Sequence, residues 1–180
     1  MTILAHLGHG LDGFWAGALH PIGGLDHLLA MVAVGVLAAV LADRHTVWVA
    51  PAAFVGGMVV GGALGIAGVG AGFVETAIAV SVVVLGVLIA LSHVGSLRIG
   101  AWIPAAAFAF GGVHGLAHGG EVPASGSPAA YVIGFVVTTA LLHAGGVLVG
   151  TATRRAAVAR TALGGVVSTA GLALLVGLPA

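Results

Sequence analysis

Apolar runs of membrane-crossing length alternate along this chain with short polar or glycine-rich breaks. A hydrocarbon core takes about 20 apolar residues in helix. On that measure the pattern predicts six spans, at about 22–42, 47–67, 75–94, 99–117, 129–150 and 161–178. The breaks between them read "DRH", "GVGAG", "GSLR", "HGGEVPASGSP" and "TRRAAVAR". Connectors this short bring consecutive helices together, so the expected fold is an all-α polytopic membrane bundle forming a single transmembrane domain over residues 1–180. Residues 1–20 form an outer leader, in which "LDGFWAGALH" (11–20) predicts an interfacial or half-inserted helix with Trp15 at headgroup level. It runs into Pro21 and Gly23-Gly24, where the first helix is expected to break.

Composition agrees and excludes much else. Hydrophobic residues make up 60% of the chain and charged ones 6%, against roughly 25% charged in a soluble domain, so nothing remains for a separate soluble unit. The net charge is zero and there is no Lys, hence no basic stripe for nucleic acid. Without Cys there are neither disulfides nor thiolate metal sites. All five Arg fall in the first, third and fifth connectors, as Arg44, Arg98, Arg154, Arg155 and Arg160. The positive-inside rule makes those loops cytoplasmic and puts both termini outside. Asp12, Glu75 and Glu121 then belong to the outer side. The start, "MTILAHLGHG", lacks a charged n-region and a full apolar h-region, so no complete signal peptide is expected in it. Among the 32 Gly, the row Gly57, Gly61, Gly65 reads as a helix-packing face, because small residues let helices approach closely in lipid. Such faces serve packing within the chain and homo-oligomerisation equally well.

Against the scarcity of polar side chains stand nine His. Two clusters hold most of the chemistry. In "HPIGGLDHLLA", His20 and His27 are seven apart and share a face if the helix is continuous, with Asp26 about 100° round and Pro21 suited to a first turn. In "HGLAHGGE", His114 and His118 stand one turn apart and Glu121 follows on the same face, a half-shell for a divalent metal. Both clusters are expected in the outer half of the membrane, where ionisable groups mark ion or substrate pathways. His143, with Thr139 one turn before it, is either the next station on an inward path or a structural hydrogen-bonding residue. Glu75 is either an acidic rim for cations or a plain charge at a helix N-terminus. His6 and His9 are candidate capture residues outside. His45 and His93 read as ordinary interfacial residues, and Met31 and Met58 as packing. Nitrogen and oxygen donors without thiolate favour nickel, cobalt or zinc over copper(I), and there is no phosphate-binding loop to couple passage to ATP in this chain.

"HPIGGLDHLLAMVAVG" and "HGLAHGGE" resemble the two signature motifs of the HupE/UreJ family, with support from "VETAIAVS" and "ALLHAGG". His20, Asp26 and His27 match the first motif; His114, Gly115, Ala117, His118, Gly119 and Glu121 match the second, which usually has Phe where this chain has Val113. The resemblance implies a permease of the bacterial inner membrane that carries nickel, or cobalt, inward for hydrogenase or urease maturation. It also implies a cleaved leader before a His-rich start, to which "AHLGHG" is similar. The related polar motifs of the first and fourth spans run in opposite directions, which hints at an inverted three-plus-three repeat. Two other classes stay open on the residues alone: an intramembrane zinc-dependent hydrolase, and a passive membrane subunit with a structural metal site.

Overall fold

A computed structural model of the chain describes residues 3–70, 72–94, 102–119 and 127–177, with side chains from residue 13 onward. The described residues hold seven helices and no strand: α1 (Ile3–Gly23), α2 (Leu25–Leu41), α3 (Val49–Ile66), α4 (Val74–Leu91), α5 (Ile103–Gly119), α6 (Pro128–Thr153) and α7 (Ala157–Leu175). Each expected span falls on one of α2 to α7. Four of these helices, α3, α4, α6 and α7, are long and apolar enough to cross a membrane by themselves, and the bent pair α1–α2 makes a fifth candidate span. With 17 residues each, α2 and α5 rise only about 26 Å, short of a hydrocarbon core of about 30 Å. The expected span 22–42 loses its first turn to the break at Gly24, and α5 starts at Ile103, beside Pro104, which suits an opening helical turn because it lacks an N–H to donate.

The break itself is sharper than a kink. Gly24 is extended (φ −109°, ψ 121°) and α1 meets α2 at 81°. Pro21 lies in the last turn of α1, fully buried, and not in a first turn as the sequence suggests. After the bend, α1 leaves α2 and packs along α6.

The outer surface and the interior divide the residues as lipid requires. Leu141, Leu148 and Val166 are each at least 66% exposed, while Met31, Phe54, Met58, Val82 and Ile89 form the core. Burying apolar area gives helices no drive to associate in lipid, so close backbone contact must supply it. The tightest pair, α3 with α5, shows how. A Cβ on Gly57 would strike the carbonyl oxygen of Phe108, and one on Gly61 that of Gly112. From the other side, a Cβ on Gly111 would strike the carbonyl of Phe54, and one on Gly115 that of Met58. Two glycine rows, four residues apart on each helix, therefore interlock backbone on backbone. The α2–α6 pair repeats the device with Gly35 and Gly146.

The main pairs are α2 with α6, α3 with α5, and α4 with α7. Exchanging α2, α3, α4 for α5, α6, α7 maps this scheme onto itself, which is the pairing a three-plus-three repeat produces. At one end of the bundle, Arg154 donates to the carbonyl of Ala42 (3.3 Å), and Arg160 donates to the carbonyl (3.4 Å) and hydroxyl (3.2 Å) of Ser92. Those guanidiniums thus sit at the C-termini of α2 and α4, where unpaired carbonyls favour cations. At the same end Asp43 accepts hydrogen bonds from the backbone N–H of His45 (2.9 Å), the hydroxyl of Thr46 (3.1 Å) and the backbone N–H of Thr46 (3.1 Å), which hold its carboxyl below the usual range and shape the turn into α3.

Candidate metal site

At the opposite end the break at Gly24 creates the site. His20 is in the last turns of α1 and His27 in the first turn of α2. They do not share the face of a continuous helix, yet the 81° bend brings their rings together, stacked with centroids 6.2 Å apart. His118, in the last turn of α5, stands against both, 4.5 Å from the His20 ring and 4.3 Å from that of His27. One ligand atom from each of the three lies within 4.8 Å of the others. Metal–imidazole bonds of about 2.1 Å allow ligand atoms at most about 4.2 Å apart, so the set need tighten by only roughly half an ångström.

Two neighbours complete it. Asp26 accepts the backbone N–H of His27 (2.9 Å) and its carboxylate is 3.4 Å from His27 Nδ1, an ion-pair distance that brings a compensating charge to that ring. His114, fully buried one turn deeper than His118, has its ring 5.3 Å from that of His27. Its Nδ1 donates to the carbonyl of Phe110 (2.8 Å), which leaves Nε2 as the nitrogen with a lone pair.

Of the six residues that the sequence assigned to one outer-half site, His20, His27 and His118 come within reach of one ion, with Asp26 and His114 beside them. Glu121 lies outside the described residues, as do the side chains of His6, His9 and Asp12. Glu75 is exposed in the first turn of α4 and takes no part in the group. His45 and His93 are exposed, and Met31 and Met58 are core residues. His143 lies deeper, buried in α6.

Sequence reasoning missed the aromatic wall. Tyr131 and Phe135, one turn apart on α6, pack on the site: Phe135 is 4.6 Å from the His118 ring and 6.0 Å from that of His20, and Tyr131 is 6.0 Å from His20. The chain's single Tyr, followed four residues later by Phe in "YVIGF", was the available signal. A cavity of about 200 Å³ adjoins this wall, lined by His118, Tyr131 and Phe135 with Met58 and Gly62 of α3. Phe54 of α3 touches both His114 (5.4 Å) and His143 (5.3 Å).

Apolar helices around buried imidazoles at a broken helix define a multi-pass membrane protein with a candidate metal site. The comparisons give that class a lineage. The model of the HupE / UreJ protein family matches residues 1–174, and the chain belongs to that family, whose members are bacterial membrane proteins associated with nickel and cobalt transport. It is 44% identical over 178 residues to Protein HupE of Rhizobium leguminosarum bv. viciae, covering 96% of this chain and 90% of that one. No solved structure matches.

Proposed function

We propose that the protein is a permease that admits nickel, and with it cobalt, through the site formed by His20, His27 and His118, with Asp26 and His114 beside them. The observation that carries this reading is the meeting of three imidazoles from α1, α2 and α5 within 4.8 Å. Imidazole nitrogens with a carboxylate suit a borderline divalent ion, which in this reading is the cargo. Glu121, two residues beyond the end of α5, is the natural further ligand at the mouth, and Glu75, His6 and His9 serve capture at that face. The whole chain acts as one transmembrane domain. The site end faces outward with both termini, and the arginine end faces the cytoplasm. In support, the α2–α3 and α6–α7 connectors and the C-terminus of α4 are joined at one end by Arg154 and Arg160.

The test is flux. Protein reconstituted in liposomes with a nickel-sensitive dye inside should admit Ni2+ well above protein-free vesicles, with Co2+ competing. Tight binding of Ni2+ with no entry would overturn the permease and favour a passive metal-holding subunit. Asp26→Asn keeps the shape of the side chain but removes its charge. It should weaken Ni2+ binding about 10- to 100-fold in calorimetric titration, the usual effect of losing a carboxylate that orients a ligating imidazole. Unchanged affinity would show that His27 needs no such support.

A further inference from the structure

Deeper in the bundle, we infer that His143 and Thr139 of α6 form a second cation station, with the lone-pair nitrogen of His114 on the other side of the Phe54 ring. This rests on the permease reading and adds to it the place where the ion halts after leaving the outer site. His143 is 1% exposed, and among the described residues neither of its ring nitrogens has a hydrogen-bond partner. Thr139 is wholly buried one turn earlier on the same face, and its hydroxyl is equally unpartnered. Thr151 donates to the carbonyl of Val147 (2.7 Å) and Thr153 to that of Val149 (2.9 Å), the easy bond for a threonine in a helix. The hydroxyl of Thr139 makes no such bond. His114 Nε2 is buried without a partner as well.

More than nine in ten buried polar groups find a partner. The imidazole of His143 and the hydroxyl of Thr139 therefore present three unsatisfied atoms with the donor chemistry of the outer site, and His114 Nε2, on the other ring that Phe54 touches, presents a fourth. The arrangement also has an order in depth. Gly35, which packs on the backbone of His143, is eight residues along α2 from His27, or about 12 Å deeper. The Phe54 side chain, which carries no polar atom, touches both His114 and His143 and so links the outer set to the inner one. One turn from Phe54 toward the arginine end, Ala50 lines a cavity of about 310 Å³ that reaches Asp43 and Thr46. An ion leaving His114 thus meets His143 and Thr139 before that cavity.

The substitution to make is His143→Leu, which removes two orphan nitrogens from an apolar setting and so should leave the metal-free protein at least as heat-stable as the wild type. In equilibrium dialysis against Ni2+ it should bind one ion fewer than the wild type while retaining the outer ion, and uptake into liposomes should fall at least about tenfold. Thr139→Val, nearly the same shape, should slow uptake a few-fold without a loss of stability and covers the case in which His143→Leu folds poorly. Wild-type stoichiometry and uptake in both variants would overturn the station and leave the permease standing. A fall in heat stability with uptake unchanged per folded molecule would overturn it too, in favour of a structural histidine. A wild-type protein that admits no Ni2+ would overturn the permease and the station together.

Discussion

His118→Ala is expected to reduce nickel entry into dye-loaded liposomes to the rate of protein-free vesicles, a loss of at least about 100-fold. His118 is the ligand that joins the other two. The rings of His20 and His27 are 6.2 Å apart, and His118 stands within 4.5 Å of each. Without it, two imidazoles on either side of the bend have no third nitrogen to close a shell. Losing a mere supporting residue of a metal site weakens it 10- to 100-fold, so losing a ligand should exceed that. The fold should survive, because the His118 side chain borders an existing cavity and lies off the glycine rows that lock α5 to α3. His45→Ala, an exposed change in the α2–α3 connector, should transport as the wild type does. Undiminished entry through His118→Ala would sink the assignment of the site.

Gly115→Val should unfold the pairing of α3 and α5 and abolish entry as well. A Cβ at residue 115 meets the carbonyl oxygen of Met58, and lies 2.8 Å from its carbonyl carbon and from the nitrogen of Gly62. These are backbone atoms of α3 and cannot rotate aside. The helices must separate, which breaks the interlock along its length, and overpacking of this kind costs about 1–3 kcal/mol or more. Movement of α5 also carries His114 and His118 away from His27. Thermal unfolding in detergent should show a clear drop in midpoint, with Gly145→Ala as control. A Cβ on Gly145 meets nothing within 4 Å, so that change should hold or raise stability through helix propensity. An unaltered midpoint for Gly115→Val would mean that the two helices are not closely packed.

The helices and the chemistry were legible in the sequence to different depths. Hydropathy located α2 to α7 because each is a separate apolar run, and Gly23-Gly24 marked the break. The row Gly57, Gly61, Gly65 announced one half of an interlock. Its other half, Gly111, Gly115 and Gly119, was hidden in plain view inside "FGGVHGLAHGGE", where the histidines drew the eye. Those glycines set the depth to which α5 seats, and the two imidazoles beside them take their positions from it. The ligand set was readable as two clusters expected at one depth, but not as the particular side chains that meet. Helix-face arithmetic grouped His114 with His118, whereas the 81° bend and the docking of α1 on α6 deliver His20 to His118. Tertiary contacts of that kind leave no local pattern, and for the same reason the wall of Tyr131 and Phe135 went unnoticed.

The glycine contacts have a mechanical corollary. They weld α1, α2 and α6 into one unit and α3 with α5 into another. His20, His27 and His143 belong to the first unit, His114 and His118 to the second. An ion held by His20, His27 and His118 would therefore be a rivet through two plates, whereas one held by His143 and Thr139 of α6 would touch the first plate alone, so inward departure would draw the rivet. The cargo would fasten the machine that moves it, and no helix need unwind for the plates to slide.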